Sequence, residues 1–418
     1  MMASGPVSSS PAFNGPPIPR QDQGITAEEI ALYDRQIRLW GVKAQEKIKN
    51  ANILIISMNS LAAEIAKNLV LAGINSLTII DHKDATAKDL GANFFLTRDD
   101  LGKNRAAAAA DRIKKLNPRV TVVTDRANLS QTRTAPVVEQ FDLVIATSQD
   151  TNTLTLINTA TRATNKPFYA ASVYGMYGYI FSDLIEHEFV VERERNKTTK
   201  LGAESRTRSI IEVTEKEDGK PIELVKKVEK YSTWFLASDA AKLPEEYTNS
   251  RRKLRKVTPI LSCLRALWEF QVLNPLGPTS MNDLKVFAGL AHKHHKSLGL
   301  PEETLNAEVQ GLFFQNIHSE ITPVSAILGG QLAQDVINVL GGREQPIQNF
   351  VIFDGDSMEA SVFALHPPGP LGNDLFPNTA EAVRRISQPQ DQPVVSQHDP
   401  SQPGVSYLPD VIKFDKDY

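Results

Sequence analysis

The chain has 418 residues, 41% hydrophobic and 23% charged, a globular balance that allows two or three domains at roughly 150 residues each, or one domain with insertions. Its 46 Lys and Arg against 49 Asp and Glu leave a net charge of −3, which excludes a general polyanion binder and gives no ground for expecting a nucleic-acid partner. One cysteine excludes an internal disulfide and a cysteine-built zinc site, no apolar run approaches the roughly 20 residues that span a bilayer, and the first residues lack the apolar core of a secretion signal, so a reducing compartment away from membranes is expected.

Residues 1–24 are rich in Pro, Gly and Ser and are expected to be a disordered tail, as are residues 367–418 with their SQPQDQPVVSQHDPSQPG stretch. Thr26 followed by Glu29 is a capping-box pattern, opening a helix that carries Ile30, Tyr33, Ile37, Leu39 and Trp40 as packing residues. Asn52–Ile56 is an apolar run without alternation, as in a strand covered on both faces. A helix over Leu61–Leu71 stops at Gly73, and a second apolar strand, Ser76–Ile80, ends at Asp81. Lys103–Leu116, with five consecutive alanines, predicts a strong helix ended by Asn117-Pro118. Strands follow at Val120–Thr124 and Leu143–Thr147, then a Thr-rich helix over 151–165 and a strand at Phe168–Val173. Alternation at about 30-residue spacing predicts an α/β, Rossmann-like, doubly wound and mostly parallel sheet. Residues 25–185 form its first part. A charged and helical insertion occupies 186–310, and 311–366 return to the sheet through a helix over Pro323–Leu340 and a final strand at Phe350–Phe353.

In such a sheet the ligand sits where the first strand turns into its helix. That turn is Ser57-Met58-Asn59-Ser60-Leu61-Ala62. A nucleotide-binding turn needs glycine for its tight bend, for approach of the backbone to phosphate and for helix packing. Here Ala62 is tolerable at the packing position, whereas side chains at Ser57, Asn59 and Ser60 crowd the phosphate position. The acid expected about 20 residues further on is present as Asp81. The residues alone leave two readings open: a fold that never bound a nucleotide, and a nucleotide site that has decayed.

The run Tyr33-Asp34-Arg35-Gln36-Ile37-Arg38-Leu39-Trp40-Gly41 resembles the opening of the activating enzymes for ubiquitin and ubiquitin-like proteins, the ThiF/MoeB superfamily. Ala63-Glu64-Ile65-Ala66-Lys67-Asn68-Leu69, Ile80-Asp81-His82, Gly91-Ala92-Asn93-Phe94-Phe95, Gly102-Lys103-Asn104-Arg105-Ala106, Ile321-Thr322-Pro323-Val324 and Phe353-Asp354-Gly355 continue the resemblance in order over most of residues 25–366. Within the family the chain is most similar to the smaller, non-cysteine subunits of SUMO-activating enzymes. His187-Glu188-Phe189, after a strand at Tyr177–Leu184, and the overall length support that placement.

The resemblance implies a mechanism. The modifier's C-terminal carboxylate attacks the α-phosphate of Mg-ATP, pyrophosphate leaves, and a cysteine takes the acyl group as a thioester. The Mg-ATP site and the cysteine belong to a larger partner subunit, so the implied partners are that subunit and SUMO, in a heterodimer that resides in the nucleus and also in the cytoplasm. The active family loop reads Gly-x-Gly-Gly-x-Gly, and the matching positions Ser57, Asn59, Ser60 and Ala62 have lost every glycine. Ala92 stands where the active family has an arginine that serves the phosphates. The chain's own pocket is therefore expected to bind no ATP, with Asp81 and Lys103 vestigial, Asp81 equally readable as a strand-end cap and Lys103 as a first-turn helix residue. The implied catalytic contribution is Arg35, reaching in trans to the partner's ATP phosphates with a fixed, always-charged fork. The alternative for Arg35 is an ion pair with Asp34.

Other residues carry weaker signals. Cys263 lies in an apolar helical segment, the setting of a buried thiol and not of a catalytic one. His292, His294 and His295 lack the i, i+4 spacing of paired metal ligands, and no metal site is expected. Arg251-Arg252-Lys253-Leu254-Arg255-Lys256 reads as a solvated face ahead of a helix, with a nuclear import signal as the alternative. Val411-Ile412-Lys413-Phe414, flanked by acids, resembles motifs that add a strand to the edge of the SUMO sheet. Two other family roles fit less well. A Nedd/Rub-type helper subunit is usually longer, and a homodimeric ThiF/MoeB-type adenylyltransferase has the glycines and cysteine zinc site that this chain lacks. A non-catalytic scaffold is the remaining class.

Overall fold

Thr26 and Glu29 close the expected capping box, each side chain bonding the other's backbone N–H. The computed structural model describes residues 18–19, 24–129, 134–195, 199–217 and 221–375. The tail motif at Val411–Phe414 lies outside the described residues.

The single helix expected from Thr26 to Trp40 is instead a series of short ones, α1 (Ala27–Leu32), α2 (Asp34–Trp40) and α3 (Val42–Lys49). Tyr33 breaks the first, burying its ring against Gly73, and Gly41 breaks the second with a φ of 84°, a conformation open to glycine. β1 (Asn52–Ile56), α4 (Ser60–Ala72), β2 (Ser76–Ile80), α5 (Arg105–Leu116), β3 (Thr121–Asp125), α6 (Thr134–Val138), β4 (Leu143–Thr147), α7 (Thr151–Ala163), β5 (Phe168–Tyr174) and β6 (Tyr177–Asp183) follow. Asn59 caps α4 through the Ala62 N–H, and Gly73 ends it with a φ of 82°. A Cβ at Gly73 would also lie 2.5 Å from the Tyr33 hydroxyl, so glycine is required there twice over.

Residues 186–230 form a separate antiparallel sheet of β7 (Glu186–Glu194), β8 (Gly202–Ala203), β9 (Arg208–Glu217) and β10 (Pro221–Lys230), in the order β7-β10-β9-β8. Its charged residues pair across strands, as in Arg193 with Glu223 and Lys226 with Glu188. The helical region holds α8 (Glu245–Thr248), α9 (Arg251–Leu254), α10 (Ile260–Leu273), α11 (Met281–Ser297) and α12 (Ala307–Asn316). The chain returns to the main sheet through α13 (Thr322–Gly341), β11 (Phe350–Asp354) and β12 (Glu359–Phe363). The strand expected to be final is thus followed by one more, an edge strand whose exposed side chains gave no apolar signal.

The main sheet has the order β12-β11-β6-β5-β4-β1-β2-β3. β3, β2, β1, β4 and β5 are parallel, and β6, β11 and β12 extend them antiparallel. Alternate residues of β1 feed two cores: Leu54 and Ile56 pack on the face covered by α6, α7 and α10, and Ile53 and Ile55 on the face covered by α4, α5 and α13. The order reverses between β1 and β4. Ile56 pairs with Ile80 on one side and Ala146 on the other, so Ser57, Asp81 and Ser148 come together at the carboxyl ends of their strands.

Candidate functional site

The expected turn lies at this switch point. Ser57 keeps a left-handed φ of 75° without being glycine. Met58, Asn59, Ser60 and Ala62 are all buried. The Ser60 N–H and hydroxyl both donate to Glu320 Oε2, at 3.0 and 2.5 Å, and the Asn59 side-chain amide donates to Ser148 Oγ at 2.6 Å. The first turn of α4, where a phosphate would sit, is therefore satisfied by a carboxylate of the same chain.

Asp81 is buried at the end of β2. It accepts the Met58 N–H at 2.8 Å and the Lys83 N–H at 3.0 Å, and so ties strand end to loop. Arg105 donates from Nε to the same Asp81 carboxylate at 2.9 Å, from Nη1 to Asp89 at 2.9 Å and from Nη2 to Ser57 Oγ at 3.0 Å. Burial works against the Arg105 charge, but Asp81 and Asp89 outweigh it and raise its pKa above the ordinary arginine value. Burial likewise opposes the Asp89 charge, and Thr86 and Arg105 together hold that carboxyl below its usual range. Between the ends of β1 and β2 there remains a cavity of about 10 Å³, walled by Ser57, Asp81, His82 and Asn128 among others, room for a water but not a nucleotide.

Lys103 does not enter this site. Its side chain is 62% exposed and pairs with Asp100 at 3.6 Å. The helix starts only at Arg105, capped by Asn104, so Lys103 precedes the first turn instead of lying in it. Ala92 is buried beside the loop and brings no charge, while its neighbour Asn93 donates to the Met58 carbonyl at 3.0 Å. Toward β4 and β5 the crevice stays open as a cavity of about 280 Å³ lined by Lys83, Gln149, Asp150, Tyr174 and Glu320. Its two acids are engaged, Asp150 as the cap of α7 and Glu320 on Ser60.

Arg35 stands elsewhere, on α2, and is exposed. Asp34 pairs with Arg38 at 3.0 Å, and Arg35 has no hydrogen bond or ion pair among the described residues. The helix under it is fixed: Gln36 bonds the Leu71 carbonyl, Trp40 Nε1 donates to Gln45 at 2.8 Å, and Arg343 donates to the Trp40 carbonyl at 3.0 Å. Lys49 and Glu29 form a buried pair at 2.8 Å below α1. Leu39, expected to pack, is 78% exposed, and Leu32 is 59% exposed, so the arginine is flanked by apolar side chains facing outward.

The model of the ThiF family matches residues 33–371.

The chain belongs to the ThiF family.

Among curated relatives it is 37% identical over 346 residues to "DNA damage tolerance protein RHC31" of Saccharomyces cerevisiae, covering 81% of this chain and 97% of that protein. It is 33% identical over 352 residues to "SUMO-activating enzyme subunit 1" of Xenopus tropicalis, covering 83% and 99%. The human protein of that name is 31% identical over 347 residues, covering 82% and 97%. The resemblance read in the sequence, to the small subunits of SUMO-activating enzymes, is borne out by these relatives.

In this ThiF-family chain the remaining candidates have structural partners. Cys263 is fully buried, and burial pushes its thiol pKa far up, helped by Asp354, the opposite of an activated nucleophile. His295 bonds Ser262 and the Pro301 carbonyl, His294 bonds Glu269, and His292 bonds Gln310, so the three histidines serve different contacts. Within the basic run, Lys253 pairs with Glu246 and Arg255 with Glu303. Two residues of the crevice escaped the sequence reading. Arg105 stands in the quoted Gly102–Ala106 motif, and its position as the first helical residue after Asn104 was the signal available. Glu320 had none, because its role depends on α13 packing against α4.

Proposed function

We propose that this chain is the helper subunit of a SUMO-activating enzyme, joined to a larger cysteine-bearing subunit in a heterodimer. In this reading Mg-ATP is held by the partner and no nucleotide by this chain. Its own crevice does not fit one: the phosphate position holds Glu320, and Asp81 is occupied by Arg105. Arg35 is supplied in trans, and its guanidinium offsets the charge that gathers on the α-phosphate as the SUMO carboxylate oxygen attacks and pyrophosphate leaves. The observation that carries this reading is an exposed arginine with no acid partner among the described residues, on an apolar-flanked helix, in a chain whose own phosphate position is taken by Glu320. Nuclear residence with a cytoplasmic fraction belongs to the same proposal. The exposed Arg251 and Arg252 are the side chains an import receptor would read, and a fluorescent fusion with both replaced by Ala should shift to the cytoplasm.

The test of the assembly is co-expression with a candidate large subunit, followed by SUMO thioester formation. The proposal expects a stable complex and a thioester on the larger chain that requires both chains. Thioester formation by the larger chain alone at the same rate would overturn it.

A further inference from the structure

The groups that occupy the phosphate position and Asp81 come from outside the loop. The loop backbone keeps the shape that a nucleotide turn has: Ser57 holds the left-handed φ of 75°, and Asn59 caps a helix pointing its N-terminus at the switch point. Loss of glycine crowds this turn but does not fill it. Glu320 Oε2 fills the anion position, bonded to the Ser60 N–H and hydroxyl. Arg105 fills the ribose position, bonded to Asp81, the acid that in a nucleotide-binding sheet would hold the ribose, and to Asp89 and Ser57.

Both are held firmly. Glu320 lies two residues before α13, and Ser325 on that helix meets the Ser60 hydroxyl at 2.8 Å. Gly329 further along α13 lies so close to α4 that a Cβ there would be 2.6 Å from Glu64 Cβ, so the two helices are in close contact. Arg105 is anchored by a carboxylate on each side. We propose that Glu320 and Arg105 form an internal plug, an anion and a cation of the chain itself seated where a nucleotide's phosphate and ribose would go, and that this plug is what keeps nucleotide out. The inference rests on the reading above, that the chain carries no ATP of its own, and assigns the cause. A nucleotide has to displace two opposite charges at once, so restoring the glycines leaves the site shut.

The test is equilibrium dialysis of Mg-ATP with the full chain, with Ser57→Gly/Asn59→Gly/Ser60→Gly, and with that triple variant carrying Glu320→Ala and Arg105→Lys as well. The plug predicts no detectable binding by the first two and binding by the third at least tenfold above the detection limit. Equal binding by the triple and fivefold variants would overturn it, as would a folded fivefold variant that gains nothing. Binding by the wild-type chain would overturn the plug together with the reading it rests on, whereas binding by the triple variant overturns the plug alone. Glu320→Ala by itself covers the case in which the fivefold variant does not fold: amide hydrogen exchange at residues 60–62 should rise at least tenfold, and unchanged exchange would contradict the plug.

Discussion

Arg38 holds Asp34 at 3.0 Å along α2, and so leaves Arg35, one position after Asp34, without an acid of its own. The Asp34–Arg38 pair is exposed, with side-chain exposures of 49% and 77%, so it contributes little stability and serves chiefly to occupy the nearest carboxylate. An unpaired arginine held on a fixed helix is free to meet charge on another molecule. The same helix buries none of its residues, so its outward face is left uncovered by the described residues.

That face should matter for assembly and not for folding. Leu39→Asp removes an exposed apolar side chain, and is expected to change the chain's own stability by less than about 0.5 kcal/mol. On the proposal that this face meets the larger subunit, binding to that subunit should weaken by about tenfold or more. Titration calorimetry of the isolated subunits measures the second quantity and denaturant unfolding the first.

Arg105 should behave in the opposite way. Its guanidinium is buried between Asp81 and Asp89, and Arg105→Met leaves both carboxylates without their cation. The expected cost is about 3 kcal/mol, within the range for breaking a buried pair. The double variant with Asp81→Asn should recover part of it, because one of the stranded charges is then gone. Urea unfolding of the single and double variants checks both statements.

Acidification should destabilise the fold before the carboxylates titrate. His366 is buried, with its Nδ1 toward the Ser232 hydroxyl at 2.9 Å and its Nε2 without a partner. Burial first, then the charges of Arg206 and Arg162, push its pKa from 6.5 down to about 3. The unfolded chain therefore takes up a proton near pH 6.5 that the folded chain refuses, so stability falls as the pH drops from there toward about 3. Over the first two pH units the loss through this residue is about 2–3 kcal/mol. Thermal unfolding from pH 7 to 4.5 should show that slope, and His366→Gln should reduce it, leaving the part owed to His187, which burial pushes down to about 4.

Much of the fold was legible because its signals are local. The unalternating Asn52–Ile56 and Ser76–Ile80 runs report strands buried on both faces, and Gly73 and Gly342 stop their helices where left-handed backbone is needed. Other features depend on tertiary contacts that no window reveals. The apolar spacing of Ile30, Tyr33, Ile37 and Leu39 fits one continuous helix, but the burial of Tyr33 under Gly73 breaks it and turns Leu39 outward. β12 is an edge strand with one buried residue, Phe363, too little for a pattern. At the crevice, the lost glycines were plain in the sequence. The replacement charges were not: Glu320 lies 260 positions from Ser60, and Arg105 sits two residues beyond the lysine that drew attention.

The central claim is that Arg35 acts on a nucleotide held by another chain. ATP–pyrophosphate exchange dependent on SUMO tests it most directly, with the larger subunit alone, with this chain, and with Arg35→Ala or Arg38→Ala in its place. The account predicts that exchange requires this chain, that Arg35→Ala still assembles but loses about a thousandfold or more in rate, the lower end for a trans-acting arginine, and that Arg38→Ala stays within about threefold of wild type. An Arg35→Ala complex that assembles and exchanges at the wild-type rate would contradict it.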